Sequence, residues 1–172
     1  VYDKWVGEVD CPILGANIID TSTGLPYVKP YTIIERDGVK VAVLGMLTPA
    51  IPNWLENKIW SGLKFEDIEL SAKKWIAYLK KNEKPDVIVG LFHSGWDGGI
   101  VTSEYKEDAA KATAENVNGF DIIFFGHDHR ARKAEVNSPS GKNVHCLDPS
   151  NNAINVSDAE IVITKKNGKV VG

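Results

Sequence analysis

Residues 86–92 and 120–125 are short runs rich in Val, Ile and Phe, and each leads at once into a loop carrying glycine and histidine. The first loop is His93-Ser94-Gly95-Trp96-Asp97-Gly98-Gly99, and the second is Gly126-His127-Asp128-His129-Arg130. Apolar runs of this length, bounded by turn residues, read as strands buried on both faces of an α/β sheet. The Ala-rich segment 104–116 between them predicts a helix. A strand–helix–parallel strand unit crosses over right-handed in nearly all proteins. Both histidine loops therefore leave the sheet at one edge, beyond the carboxyl ends of the strands, where α/β folds bind ligands.

The remaining segments extend this sheet. Residues 31–35 and 39–44 are β-branched runs separated by Arg36-Asp37-Gly38, a hairpin signal. Ile68, Ala72, Trp75, Ile76 and Leu79 recur at steps of three and four and predict a helix over 65–82, with Lys80 and Lys81 suited to its C-terminal end. Residues 11–19 read as a buried strand, and 143–147 and 159–164 as the last two strands. Residues 48–62 have no period and read as a loop given rigid, apolar content by Pro49, Pro52, Trp54 and Trp60.

A chain of 172 residues is long enough for one domain with a core. Its net charge of −3 leaves no electrostatic footprint for a nucleic acid polymer or an anionic membrane. No apolar run approaches the roughly 18 residues of a membrane span. Small molecules or proteins are thus the expected partners. Cys11 and Cys146 form no CxxC pair, which excludes a cysteine-rich zinc site. Two unrelated buried thiols is the reading, and a disulfide between neighbouring strands is the alternative. The only methionine is Met46, and the chain passes almost at once into an apolar segment. A start inside a larger protein is expected, with a processed terminus as the alternative.

Three of the four histidines follow predicted strands directly. In extended backbone, residues i and i+2 face the same way, which would let His127 and His129 point into one site; a pair on a surface loop is the alternative. Neutral imidazole is the commonest protein ligand for divalent transition metals. Asp97 and Asp128 stand near enough in sequence to accept from the ring N–H groups. His145, within a predicted strand, reads as a satisfied core or edge histidine. Arg130 and Arg132 read as solvated, with a phosphate contact as the alternative. Asn17 reads as a brace for the site loops, Trp96 as packing under the metal loop, and residues 148–152 as a turn that could line the site.

Leu91-Phe92-His93-Ser94-Gly95 resembles the (L/S)-x-H-S-G motif of calcineurin-like metallophosphoesterases, and Gly126-His127-Asp128-His129 resembles their G-H-x-H motif. Gly15-Ala16-Asn17-Ile18, Pro30-Tyr31-Thr32-Ile33, the stretch from Gly38 to Gly45 and Thr48-Pro49 are similar to the framework of the 5'-nucleotidase branch. Thr48 to Trp54 is closer to its 2',3'-cyclic nucleotide 2'-phosphodiesterase members. The resemblance implies a four-layer α/β/β/α sandwich with mixed sheets, of which this α/β chain is a portion. It implies two divalent ions (Zn, Mn, Fe, Co or Ca), with His93 and His127 on one and His129 on the other. It also implies hydrolysis of nucleotide phosphoesters by metal-activated hydroxide, in a periplasmic or extracellular setting.

The family's D-x-H, G-D and G-N-H-(D/E) motifs, which hold the bridging aspartate and the catalytic histidine, have no counterpart in residues 1–172, so no catalytic residue is assigned. Nor is the family's C-terminal nucleotide-binding domain present. The expectation is a partial catalytic domain that is inactive or nearly so by itself, has incomplete or no metal occupancy, and is prone to self-association through uncovered apolar surface. A non-catalytic scaffold, or a phosphoesterase for another organic phosphate such as a sugar nucleotide, is the alternative.

Overall fold

The computed structural model describes residues 7–166 and 169–171. The strands that matter most are the parallel ones expected from the apolar runs. In chain order the elements are β1 (Ile18–Asp20), β2 (Tyr31–Arg36), β3 (Val39–Leu47), the helical turn α1 (Asn57–Trp60), β4 (Leu63–Phe65), α2 (Ile68–Asn82) and β5 (Val87–His93). There follow β6 (Gly98–Val101), β7 (Lys106–Asp108), α3 (Ala110–Asn116), β8 (Ile122–Gly126), β9 (Arg132–Asn137) and β10 (Asn143–Asp148).

One mixed six-stranded sheet runs β2-β3-β5-β8-β10-β9. β3, β5, β8 and β10 are parallel, and the hairpin partners β2 and β9 pair antiparallel at the two edges. The Asp37-Gly38 turn has positive φ at both residues, 50° and 71°, which is the conformation a tight hairpin needs. One face of the sheet packs on α2 and α3. Ala42, Leu44, Met46, Ile88, Phe92, Ile123, Phe125, Val144 and Cys146 point there and join Ile68, Ala72, Ile76 and Leu79 of α2 in the core. Residues 154–163 lie loosely over the opposite face, lining shallow grooves with Ile34, Val41, Leu91 and Phe124. Leu91 and Ile34 stay about half exposed there, at 50% and 47%.

Several expected boundaries move, for local reasons. The helix expected over 65–82 starts at Ile68. Phe65 pairs with Ile18 in the small β1–β4 ladder, and Asp67 caps the helix by accepting from the Leu70 N–H at 2.9 Å. The helix expected over 104–116 starts only at Ala110, because residues 106–108 form β7 against β6. Of the strand expected over 11–19, only Ile18 and Ile19 enter a ladder; Gly15 and Ala16 instead donate to the carbonyls of Lys29 and Gly45. Residues 159–164 form no strand, and Val162 is 77% exposed. β9, absent from the expectations, closes the far edge of the sheet.

Cys11 is exposed, against the expectation of burial, whereas Cys146 is fully buried in β10; both are free thiols. Burial pushes the Cys146 thiol up to about 12. Reaction follows the exposed thiolate. Native protein is therefore expected to take up one equivalent of a thiol reagent at Cys11, and a second at Cys146 only after unfolding. Mass spectrometry of the labelled peptides checks this, and native labelling of Cys146 would contradict it.

Candidate metal centre

The parallel register sets the site. His93 ends β5 and pairs in register with Gly126 of β8 on one side and with Leu47 of β3 on the other. His127 is thus the first residue beyond the neighbouring strand. Its Nδ1 lies 3.3 Å from His93 Nε2, with ring centroids 5.0 Å apart and planes at 65°. The Trp54 indole lies beside the His127 ring, 5.3 Å between centroids.

The turn holding His127 and His129 is not extended. Both have positive φ, 108° and 60°. The two rings therefore do not share a side in the manner of strand neighbours, which corrects the i, i+2 expectation. His127 turns to His93. His129 turns to the β10 end, where its Nδ1 is 3.3 Å from Asn151 Nδ2 and its carbonyl accepts from Ser150 Oγ at 2.9 Å. A non-glycine residue in this region costs about 1–3 kcal/mol and persists where its surroundings hold it.

The serine and glycine after His93 act on the backbone opposite. Ser94, fully buried, donates through Oγ to the Glu107 carbonyl at 2.7 Å and accepts from the Ala109 N–H at 2.9 Å. The Gly95 N–H donates to Asp108 Oδ1 at 2.8 Å, and a Cβ at Gly95 would sit 2.4 Å from that oxygen and 2.8 Å from Asp128 Cβ. These bonds hold 107–109 out of the helix and bring Glu107 to the histidines. Glu107 Oε1 is 3.1 Å from His127 Nε2, and its Oε2 accepts from the Ile100 N–H at 2.6 Å. Ligand atoms of Glu107, Asp108 and His127 all lie within 4.8 Å of one another. Sequence reasoning missed Glu107, since an acidic pair before an Ala-rich segment reads as an ordinary helix N-terminus.

The two aspartates expected beside the rings do other work. Asp97 is exposed and stands 3.7 Å from Lys111 Nζ. Asp128 accepts from the Trp96 and Arg130 N–H groups at 3.0 and 3.1 Å. Trp96 does pack beneath the loop, against Phe125, and the Arg132 guanidinium lies over its ring at 5.0 Å. His145 is half exposed on β10, an inner strand, beside Glu135 of β9 at 3.4 Å, so it is neither a core nor an edge histidine.

Asp128 and Asp148 form a carboxyl pair behind the loop. Burial, above all, pushes the Asp148 carboxyl up to about 6; the neighbouring Asp128 adds to this, while the Ser150 N–H and Arg132 oppose it. Burial also works to raise Asp128, but the Trp96 N–H, the Asp148 carboxyl and Arg132 outweigh it, and Asp128 falls below the usual carboxylate range. An unfolded aspartate ionises near 3.9. The folded state therefore holds the Asp148 proton more tightly. Its contribution is complete below about pH 4 and lost as pH rises through about 6. Asp148→Asn, which stays neutral, is expected to gain about 2 kcal/mol over wild type at pH 8 and almost nothing at pH 4. Urea melts at the two pH values check this; an equal difference at both would remove the titration.

The donor set suits a divalent transition metal. Burial lowers the His93 pKa, and the positive charge that His127 and His129 can carry lowers it further, which favours the neutral, lone-pair form. A metal–nitrogen bond of about 2.0–2.1 Å places two ligand nitrogens about 3.3–3.4 Å apart across a tetrahedral edge. The observed 3.3 Å between His93 and His127 matches. Among the described residues, the one group of three or more potential ligands is Glu107, Asp108 and His127, and His129 is not in it.

The fold and sequence are similar to those of known proteins. The model of the calcineurin-like phosphoesterase family matches residues 16–131, more than half of the chain. A 5'-nucleotidase of Vibrio cholerae is 37% identical over 117 residues, 67% of this chain and 21% of that protein. A 2',3'-cyclic-nucleotide 2'-phosphodiesterase/3'-nucleotidase of Yersinia enterocolitica is 31% identical over 129 residues, 69% of this chain and 19% of that protein. This chain thus spans about a fifth of the length of these relatives. The crystal structure of the calcineurin-like phosphoesterase YfkN from Bacillus subtilis superposes with a TM-score of 0.72 at 28% identity, covering 86% of this chain and 49% of that one. Calcineurin-like phosphoesterases use divalent metals. With its mixed sheet and its two strand-end histidine loops, this chain belongs to the calcineurin-like phosphoesterase family.

Proposed function

We propose that the protein to which this chain belongs hydrolyses nucleotide phosphoesters, of the 2',3'-cyclic nucleotide and 5'-nucleotide type, at a centre of two divalent ions. His93 and His127 hold one ion and His129 serves the other. The observation that carries the reading is the facing pair of imidazole nitrogens, 3.3 Å apart at the carboxyl edge of parallel strands. The names of the Vibrio and Yersinia relatives support the substrate class. The same reading takes residues 1–172 as part of the catalytic domain of an exported protein, periplasmic or extracellular.

When bound, such ions supply an activated water and neutralise charge on the phosphoryl oxygens. The residues of this chain hold the lone pairs in place. Burial favours neutral His93. β8 and the strained turn aim His127 at it, and Trp54 shields one side of the His127 ring. The test is hydrolysis of 2',3'-cyclic AMP, AMP and a sugar nucleotide by the intact protein, first stripped by a chelator and then resupplied with Zn²⁺, Mn²⁺, Fe²⁺, Co²⁺ or Ca²⁺. Loss and metal-dependent return of activity, fastest on the two nucleotides, is expected. Absence of turnover on all three with every metal would sink the reading.

A further inference from the structure

Glu107 lies 3.1 Å from His127 Nε2, on the side of the ring away from the nitrogen that faces His93. We propose that Glu107 is a positioning residue that sets the His127 tautomer, so that Nε2 bears the proton and Nδ1 presents its lone pair toward His93 Nε2. The proposal rests on the reading that His93 and His127 share a metal ion.

The geometry is specific to a carboxylate. Glu107 has two oxygens and both are used: Oε2 accepts from the Ile100 N–H at 2.6 Å, and Oε1 faces His127 Nε2 at 3.1 Å. The first bond fixes the carboxylate plane, and the second requires a proton on Nε2, because a carboxylate oxygen only accepts. A neutral imidazole carries one proton, so Nδ1 is left as the donor of electrons. Which ring nitrogen can ligate is set by the hydrogen bond that the other makes. Here the free nitrogen is the one that faces His93, 3.3 Å away.

The fold invests in this carboxylate. Ser94 and Gly95, which follow His93 directly, grip the Glu107 carbonyl, the Asp108 carboxylate and the Ala109 N–H, and thereby hold Glu107 on β7. Gly99, at φ 63°, passes so close that a Cβ there would lie 2.6 Å from the Glu107 carboxylate. Thus one His-Ser-Gly triplet supplies a ligand and also anchors the group that orients the other ligand.

Glu107, Asp108 and His127 could instead ligate a metal themselves through His127 Nε2. That arrangement could keep the Ile100 and Gly95 bonds on the other carboxylate oxygens, but with metal bound at Nε2 it would put the proton on Nδ1. The two cases therefore differ in an observable. The experiment is a long-range proton–nitrogen spectrum of the intact protein carrying ¹⁵N-histidine, metal-free and loaded with Zn²⁺, with calorimetric Zn²⁺ titration of wild type and Glu107→Gln. In the glutamine variant, an oxygen kept for Ile100 leaves an NH₂ facing His127 Nε2, which favours the opposite tautomer.

Wild type is expected to show the Nε2–H form at His127, and Glu107→Gln to lose that preference and bind Zn²⁺ roughly 10–100-fold more weakly. A purely structural role would lower the melting temperature without changing the tautomer. An Nδ1–H form in wild type overturns the proposal. So does a glutamine variant with wild-type tautomer and affinity. If that variant fails to fold, the wild-type tautomer decides alone. Wild type that binds no Zn²⁺, Mn²⁺ or Co²⁺ refutes the metal reading, and the proposal falls with it; tight wild-type binding with an indifferent variant refutes the proposal only.

Discussion

Replacement of His93 by alanine is expected to bring metal-dependent hydrolysis by the intact protein down to background while leaving its fold intact. The two halves of this result have separate causes. His93 stands half-desolvated at the open end of β5, its ring pairs with His127, and its backbone bonds do not involve the side chain. Surface truncations of this kind change stability by about 0.5 kcal/mol or less. The chemistry, by contrast, loses one of the two nitrogens spanning the 3.3 Å edge. A single imidazole at His127 cannot fix an ion's position to the accuracy that in-line displacement needs. Initial rates on 2',3'-cyclic AMP with saturating metal, read beside a thermal melt, check both halves. Turnover retained with an unchanged melt would remove His93 from the metal shell.

How much of the His93–His127 juxtaposition is legible in the sequence depends on where its signals lie. His93 and Gly126-His127 end apolar runs whose burial on both faces is a local property of their sequence, and parallel pairing then brings the run ends together. The α2 helix was equally visible, because five apolar residues carry its period. What escaped detection was decided at a distance. Residues 106–108 have no strand period; they are held by Ser94 and Gly95, thirteen to fifteen residues earlier. The same bonds took Glu107 out of a predicted helix and placed it at His127. The positive φ at His127 and His129 carries only a weak residue-type signal, since it is uncommon for any residue but glycine even though histidine is enriched there. Cys11 and residues 159–164 look buried by composition alone, but neither enters a ladder. At Glu107 and its neighbours the miss arose where tertiary hydrogen bonds overrode local preference.

Asn17→Ala should give the reverse of the His93 result, a large loss of stability from a residue that need touch no ligand. Asn17 is fully buried, and its side chain makes three hydrogen bonds. Nδ2 donates to the carbonyls of Leu47 at 2.6 Å and Glu66 at 2.8 Å, and Oδ1 accepts from the Leu47 N–H at 2.9 Å. They tie the end of β3 to the segment leading into α2. Alanine leaves three backbone groups without these partners, at about 1–3 kcal/mol for each that stays dry. With water reaching some of them, a loss of about 3 kcal/mol is expected. In a domain of this size that lowers the melting temperature by roughly 6–12 °C. Asn17→Asp should be no better, since it can accept from Leu47 but turns a carboxylate oxygen toward two carbonyls. A melt within about 2 °C of wild type for either variant would show that the brace is not needed. The link to the metal centre is through the same strand end. Leu47 pairs in register with His93, and the Thr48 N–H donates to the His93 carbonyl at 2.8 Å. Loss of the brace should therefore loosen the backbone that carries His93. Any fall in activity of Asn17→Ala should then follow its unfolding with temperature, whereas that of His93→Ala is complete at every temperature at which the protein is folded.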